Sequence, residues 1–185
     1  MEAYLDNSAT TQCSQAAADL MMRLLREDYG NPSSLHNRGM EAENYVKEAR
    51  KRIAQTLKVN EKEIYFTSGG SESDNWVIKN VAGEKKHIGK HIITTKIEHH
   101  AILRSCQYLE SLGYEVTYLD VDDYGLVRAE DVANALRDDT TLVSVMTGNN
   151  EIGTIEPIAE IGAFLWTKGV AFHTDAVQAV GQIPI

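Results

Sequence analysis

The chain has 185 residues, of which 43% are hydrophobic and 24% charged, proportions usual for a soluble globular protein. Its formal net charge of −9 argues against nucleic acid as the main partner, because phosphate binding requires a basic surface. No apolar run approaches the roughly 20 residues of a membrane helix, and the N-terminus lacks a secretory signal pattern, so we expect no membrane association. Two cysteines, Cys13 and Cys106, are too few for a disulfide framework, and a reducing cytoplasm is the expected compartment.

The first 60 residues predict two amphipathic helices. An apolar stripe predicts a helix over 14–29, which Ser14 can cap and Gly30 would end. A second helix is predicted to follow the turn at 31–34 and to run through about residue 57. Two pairs in this second helix have the i,i+4 spacing of ion pairs: Glu43–Lys47 and Glu48–Arg52.

From residue 63 onward, short apolar or β-branched runs alternate with segments of helical spacing, at a repeat of about 25–30 residues. The predicted strands are 64–66, 91–95, 115–119, 142–146 and 170–172. The helical segments between them contain Trp76–Val81, Ile102–Leu109, Val132–Leu136 and Ile158–Leu165. This alternation predicts an α/β fold with a mostly parallel sheet and flanking helices.

Four turns follow predicted strands, at the edge where an open α/β sheet binds its ligand. The first is Thr67-Ser-Gly-Gly-Ser71, whose free N–H groups suit a phosphate, although a capped helix start explains it too. The second contains His99 and His100, where an imidazole could stack on a flat ring or exchange protons; a solvated pair is the alternative. The third, at 148–153, is either an amide ligand or a plain turn.

The fourth turn contains Asp175, with Gln178 three residues later at the start of an expected helix. A carboxylate and an amide there suit a heteroaromatic cofactor such as pyridoxal phosphate, which needs an anion at its ring nitrogen. His173 and Asp175 would share a face of the strand, but no third ligand is evident, so no metal is expected. The convergence of the four turns favours one common site.

These turns, together with Tyr4–Thr11 and Gly30–His36, resemble the pyridoxal-phosphate-dependent cysteine desulfurases of the aminotransferase class V family. Those transferases supply sulfur for iron–sulfur clusters. The resemblance extends over essentially all 185 residues, in order. Two positions depart from the family pattern, Ser8 and Ser71, and both keep a hydrogen-bonding side chain.

The resemblance implies a role for each candidate site residue. Gly70 and Ser71 would hold the cofactor phosphate. His99 would stack on the pyridine ring and act as a proton shuttle. Asp175 would pair with the ring nitrogen and keep it protonated, which makes the ring an electron sink.

Two further residues complete the implied site: Gln178 would hydrogen-bond the phenolic oxygen, and Asn150 would lie beside it, near the substrate. The family's Schiff-base lysine follows later in its sequences, and no lysine follows Lys168 here. Neither Cys13 nor Cys106 matches the family's sulfur-accepting cysteine, and Cys106 is expected to be a buried, inert thiol.

The resemblance therefore implies a partial large domain of the fold-type I pyridoxal-phosphate enzymes, at 14–185 and lacking its later strands, preceded by a segment at 1–13 that would join the small domain. Two later strands would lie between strand 64–66 and the one leading to Asn150, so strand edges and apolar helix faces would be exposed.

The expected function is that of an N-terminal cysteine desulfurase fragment, inactive alone and with weak or absent cofactor binding. The parent would convert cysteine to alanine as a homodimer, pass sulfur to an enzyme cysteine as a persulfide, and serve an iron–sulfur scaffold protein. Alternatives are a fragment of an aminotransferase or selenocysteine lyase, or a non-catalytic module that binds phosphate or dimerises.

Overall fold

The structure is a computed structural model that describes residues 3–184. The chain divides into two units, 3–66 and 67–184, and each is described by itself. In the described part of the chain, no helix has the length and apolar character needed to span a membrane.

The first unit contains helices α1 (Gln15–Arg26) and α2 (Asn37–Leu57). Ser14 caps α1 as predicted, since its hydroxyl accepts the Ala17 N–H. The predicted end of α1 was wrong: the helix stops at Arg26 because the N–H groups of Glu27 and Asp28 both bond the Arg23 carbonyl. Residue 30 must still be glycine, because a side chain there would collide with the Arg38 backbone.

Both predicted ion pairs of α2 are present, each with a nitrogen–oxygen distance of 2.8 Å. The predicted strand at 64–66 was wrong, since a 3-10 turn at 61–63 leads into a stretch that joins no ladder within the described residues. A side chain of α2 contacts this stretch instead: Arg50 donates to the Ile64 carbonyl and lies 4.8 Å from the centre of the Phe66 ring. A side chain thus takes the carbonyl that a neighbouring strand would need.

The second unit is a four-stranded parallel sheet flanked by helices, which confirms the predicted α/β class. Its strands are β1 (His91–Thr95), β2 (Glu115–Leu119), β3 (Thr140–Ser144) and β4 (Ala171–His173), in the order β2-β1-β3-β4. Its helices are α3 (Gly70–Glu84), α4 (His100–Ser111), α5 (Ala129–Ala135) and α6 (Ile158–Lys168). β1 and β2 have the predicted bounds, while β3 begins two residues earlier than predicted and β4 one residue later.

The core of this unit lies on both faces of the sheet. Ile92 and Ile93 are adjacent on β1 and point to opposite faces, and both are fully buried. Ile92 packs in a cluster with residues of α3 and α4, and Ile93 in a cluster with residues of α5 and α6. Cys106 belongs to the first cluster, where burial raises the pKa of its thiol to about 12, so the prediction of a buried thiol is confirmed.

Four connections leave the carboxyl ends of the parallel strands: 96–99 after β1, 120–128 after β2, 145–157 after β3 and 174–180 after β4. β3 ends at Ser144, yet the Val145 and Thr147 N–H groups continue to bond the carbonyls of His173 and Asp175. The chain after β3 therefore runs beside the turn after β4, and the candidate site lies at this edge.

Candidate cofactor-binding site at the carboxyl edge of the sheet

The glycine turn begins α3 and packs against the turn that follows β4. A β-carbon on Gly70 would come within 2.7 Å of Val177 Cγ2, so a larger residue here would require the Val177 side chain to move. Glu72 Oε2 accepts hydrogen bonds from the Ser68 N–H at 2.6 Å and the Ser68 hydroxyl at 2.7 Å, and these bonds lower the pKa of Glu72. The helix start thus favours an anion, and Ser71 is exposed in its first turn.

His99 caps α4 and keeps one ring nitrogen available. Its Nδ1 accepts the Ala101 N–H at 3.2 Å, so a neutral ring carries its proton on Nε2. The ring is exposed, and the His100 ring lies 6.3 Å away at an interplanar angle of 71°. The two histidines therefore present different faces, and His99 offers an open ring face and an N–H group.

Asp175 follows β4 and is buried, with 8% of its surface exposed. Its Oδ1 accepts the Val177 N–H at 3.0 Å, and its backbone carbonyl accepts the Thr147 N–H at 2.8 Å. The hydroxyls of Thr147 and Thr174 are 2.7 Å apart and hydrogen-bonded, which ties the two connections together. The carboxylate is consequently held in one orientation at the sheet edge.

Asp74 is a site residue that sequence reasoning missed. It lies on the buried face of α3 with Ile78 and Ala82, and one of its oxygens is within 4.8 Å of ligand atoms of both His99 and Asp175. Burial first, and then the charge of Asp175, raise the pKa of Asp74 to about 7. The sequence did contain a sign of this burial: Asp74 has the i, i+4, i+8 spacing with Ile78 and Ala82, which places an acidic residue on an otherwise apolar helix face.

Glu98 is a second buried carboxyl group, and it joins β1 to β3. Its Oε1 accepts the Thr95 hydroxyl at 2.9 Å and the Met146 N–H at 2.8 Å. Its Oε2 has no hydrogen-bond partner among residues 3–184. Burial raises the pKa of Glu98 to about 8, so the group is mostly a neutral acid at pH 7.

His173 faces Asp74 and Ser144. Its Nδ1 forms a hydrogen bond of 2.9 Å with the Ser144 hydroxyl, and its Nε2 lies 3.7 Å from Asp74 Oδ1. Burial lowers the pKa of His173, so its ring is neutral at pH 7. The sequence paired His173 with Asp175, whereas the structure groups Asp175 with Asp74 and His99.

The amide residues occupy turns. Asn149 builds the turn after β3: its Nδ2 donates to the Ile97 carbonyl at 2.9 Å, and its Oδ1 accepts two backbone N–H groups. Asn150 follows in that turn and is half-buried. Gln178 is also half-buried, but the helix expected to start there was wrong. The N–H groups of Ala179 and Val180 both bond the carbonyl of residue 176, so tight turns follow instead.

This edge contains three buried carboxyl groups. Asp74, Glu98 and Asp175 are each at most 8% exposed, and none of the lysine contacts described in residues 67–184 is with one of them. Those contacts are Lys79 with Asn75 and Tyr108, Lys90 with Tyr114, Lys96 with Asp120, and Lys168 with Phe164. The donor set therefore fits a flat ligand with a protonated ring nitrogen at Asp175 and a phosphate at the glycine turn.

Residues 3–185 match the family model described as aminotransferase class-V, and the chain belongs to that family. Among curated relatives, it is 52% identical over 182 residues to the cysteine desulfurase IscS of Methanosarcina thermophila, covering 98% of this chain and 45% of the relative. It is also 52% identical over 184 residues to a cysteine desulfurase IscS of Clostridium botulinum (strain Hall), covering 100% and 46%. The chain thus spans about half the length of the curated relatives it matches.

Solved structures agree with these relatives. A NifS-like protein superimposes with a TM-score of 0.96 at 41% identity, covering 100% of this chain and 51% of that one. The structure of SspA in complex with cysteine gives 0.94 at 38% identity, with coverage of 98% and 52%.

Proposed function

We propose that this chain is the N-terminal part of a pyridoxal-phosphate-dependent cysteine desulfurase, which converts cysteine to alanine and passes the sulfur to an enzyme cysteine. The names of the curated relatives support the activity. The observation that carries the proposal is the buried carboxylate of Asp175, held at the carboxyl edge opposite the open ring of His99.

Five of the sequence-predicted residues would bind the cofactor directly. Asp175 would hold the proton on the ring nitrogen, because only an anion there keeps that nitrogen cationic. His99 would stack on the ring, and Gly70 and Ser71 would bind the phosphate with N–H groups and a hydroxyl. Gln178 would bond the phenolic oxygen. When bound, pyridoxal phosphate supplies an electron sink for the reacting carbon of the substrate.

The other residues would orient these groups and exclude water. Glu98 holds the Met146 N–H and the Thr95 hydroxyl, which fixes the chain between β1 and His99. The exposed ring of His99 uses Nδ1 to accept the Ala101 N–H, which leaves Nε2 for a ligand. His99 would therefore exchange a proton with the substrate, and Asn150 would lie beside the phenolic oxygen, near the substrate.

We also propose that the 185-residue chain is inactive when assayed alone. None of the described lysine contacts is with Asp74, Glu98 or Asp175, and covalent catalysis with this cofactor needs a lysine amine. Incubation with cysteine, a reductant and pyridoxal phosphate should release no more sulfide than a blank without protein. Sulfide release that depends on the purified chain would contradict this claim.

We further propose a homodimeric parent, an iron–sulfur scaffold partner, a cytoplasmic location and a division of the chain into 1–13, which would join the small domain, and 14–185. Residues 1, 2 and 185 of that division lie outside the described residues.

A chimera tests the proposed activity. This chain would replace the matching 182 residues of the Methanosarcina thermophila relative, to which it is 52% identical. We expect the chimera to form alanine and persulfide from cysteine, and Asp175→Asn in the chimera to remove most of that activity. A chimera that folds and binds pyridoxal phosphate but leaves cysteine unchanged would overturn the proposal.

A further inference from the structure

Two carboxyl groups from different elements meet at the sheet edge without a cation between them. Asp74 on α3 is 4% exposed and Asp175 after β4 is 8% exposed, and their nearest oxygens lie within 4.8 Å. Within residues 67–184, the only ion-pair partner of either carboxyl is His173. Two buried carboxylates this close do not both ionise readily, because each charge opposes the other in a medium of low dielectric constant.

The surroundings of the two groups decide which one keeps the proton. Asp175 is held by a hydrogen bond that its Oδ1 accepts from the Val177 N–H at 3.0 Å. No hydrogen bond to the Asp74 carboxyl is formed within residues 67–184, and His173 Nε2 at 3.7 Å lies beyond hydrogen-bond distance. Asp74 is thus the more desolvated and less supported partner, and the neutral acid is its favoured form.

We propose that, in the ligand-free chain, Asp74 and Asp175 form a carboxyl pair that holds one proton on Asp74, which leaves Asp175 as the one charged carboxylate of the pair until a cationic ligand binds. Asp74 is in this view a positioning residue rather than a catalytic one. The role of Asp74 toward the cofactor's ring nitrogen rests on the proposed function. The sharing of one proton by the two carboxyl groups does not depend on that function.

The charged groups around Asp74 give the expected pH dependence. His173 and Asp175 face it from β4, and Glu98 and His99 from the start of α4. Lys79 on α3 is engaged by Asn75. A cationic ring nitrogen at Asp175 would add the missing positive charge and favour loss of the Asp74 proton, so ligand binding should strengthen as pH rises.

Thermal melting of the ligand-free chain tests the pair. Asp74→Asn imitates the neutral acid and has no proton to lose at this position, so its melting temperature relative to that of the unchanged chain should rise between pH 5.5 and pH 8.5. The rise should be at least about 4 °C, because at pH 8.5 the unchanged chain must bury a second charge or retain a costly proton. In an Asp175→Asn background the gain should shrink, since the opposing charge is gone. Exposed Asp123→Asn is the control and should show no such pH dependence.

A ligand-binding experiment tests the proposed cofactor role separately from the carboxyl pair. Pyridoxamine phosphate keeps the ring nitrogen and the phosphate but has no aldehyde to react with surface lysines. At pH 5.5 the unchanged chain and Asp74→Asn should bind it with similar dissociation constants. At pH 8.5 the dissociation constant of the unchanged chain should be about fivefold lower than that of Asp74→Asn.

Equal melting shifts for Asp74→Asn at both pH values would overturn the carboxyl pair, even if the ligand binds. Absence of ligand binding alongside the expected melting pattern would support the pair and overturn the proposed cofactor role.

Discussion

Buried polar groups are fully hydrogen-bonded at one edge of the sheet and incompletely hydrogen-bonded at the other. At the amino edge, His91 is fully buried, and its Nδ1 and Nε2 bond the hydroxyls of Thr140 and Thr117, each at 2.8 Å. At the carboxyl edge, Glu98 Oε2 has no hydrogen-bond partner within residues 3–184, and Asp74 is no better supported. Full pairing is typical of polar groups that stabilise a fold, whereas incomplete pairing costs free energy that a ligand can recover.

Charged groups at the amino edge form ion pairs among themselves. Arg137 forms ion pairs with Glu115 at 2.6 Å and with Asp139 at 2.8 Å, which join the starts of β2 and β3. At the carboxyl edge, Lys96 pairs with Asp120, and within the described residues no lysine or arginine pairs with Asp74, Glu98 or Asp175. The three buried carboxyl groups of that edge therefore lack the cationic partners that the carboxylates of the amino edge have.

His91→Ala should remove the buried hydrogen bonds of the amino edge and cause the largest loss of stability. The variant leaves a cavity and two buried hydroxyls without their partner, so the free energy of unfolding should fall by about 3 kcal/mol. Urea denaturation at pH 7 measures this loss. Pyridoxamine phosphate binding by the folded fraction should be unchanged, and a parallel loss of affinity would argue against two independent edges.

Glu98→Gln should change how the stability of the chain depends on pH, which tests the incomplete pairing at the carboxyl edge. The pKa of Glu98 is raised to about 8 in the folded chain, so folding retains a proton that the unfolded chain loses above its ordinary pKa near 4.5. The unfolding free energy of the unchanged chain should therefore fall as pH rises, by up to about 1.4 kcal/mol per pH unit in this window.

The Gln variant has no proton to lose at this position, so its stability relative to the unchanged chain should grow by roughly 2 kcal/mol between pH 5.5 and 7.5. Denaturation at several pH values provides the measurement, with exposed Glu130→Gln as control. A constant difference across that range would show that Glu98 is ionised throughout.

Substitutions at two glycines of α3 test whether the glycine turn packs against Val177. Gly70→Ala should cost about 1–2 kcal/mol, because its β-carbon would meet Val177 Cγ2 at 2.7 Å. Gly83→Ala, in the same helix with no atom within 4 Å, should instead stabilise by about 0.5–1 kcal/mol. Thermal melts of both variants check the signs, and Val177→Ala should rescue the first. Stabilisation by Gly70→Ala would contradict the packing.

His99→Ala should have the smallest effect. It removes the cap of α4, worth about 1 kcal/mol, and a stacking surface worth about as much to a bound ring. His100→Ala is the matched control, because His100 is exposed and follows the cap. We expect only the first variant to weaken pyridoxamine phosphate binding, about fivefold, in an equilibrium titration; equal effects of the two would remove His99 from the site.

Sequence patterns predicted the second unit better than the first. β1 and β2 were placed correctly because their β-branched runs are short and bounded by helical segments. The 64–66 run has the same composition, but Arg50 takes the Ile64 carbonyl, a long-range contact that no local pattern contains.

The candidate site was predictable only in part. Turn residues such as Asp175 could be placed from strand ends. Asp74 could not be placed so directly, because it reaches the edge from the side of a helix and its importance depends on burial beside another carboxyl group. The complete pairing of His91 was likewise invisible before strand register was known.

The central claim is that the carboxyl edge of the sheet is a pyridoxal phosphate site held by Asp175. Amide NMR spectra of the chain titrated with pyridoxamine phosphate test it most directly, even if binding is weak. The account predicts saturable shifts at Gly70, Ser71, His99 and Asp175, none at the amino edge around His91, and at least tenfold weaker binding by Asp175→Asn. Shifts confined to other surfaces, or binding unaffected by Asp175→Asn, would contradict it.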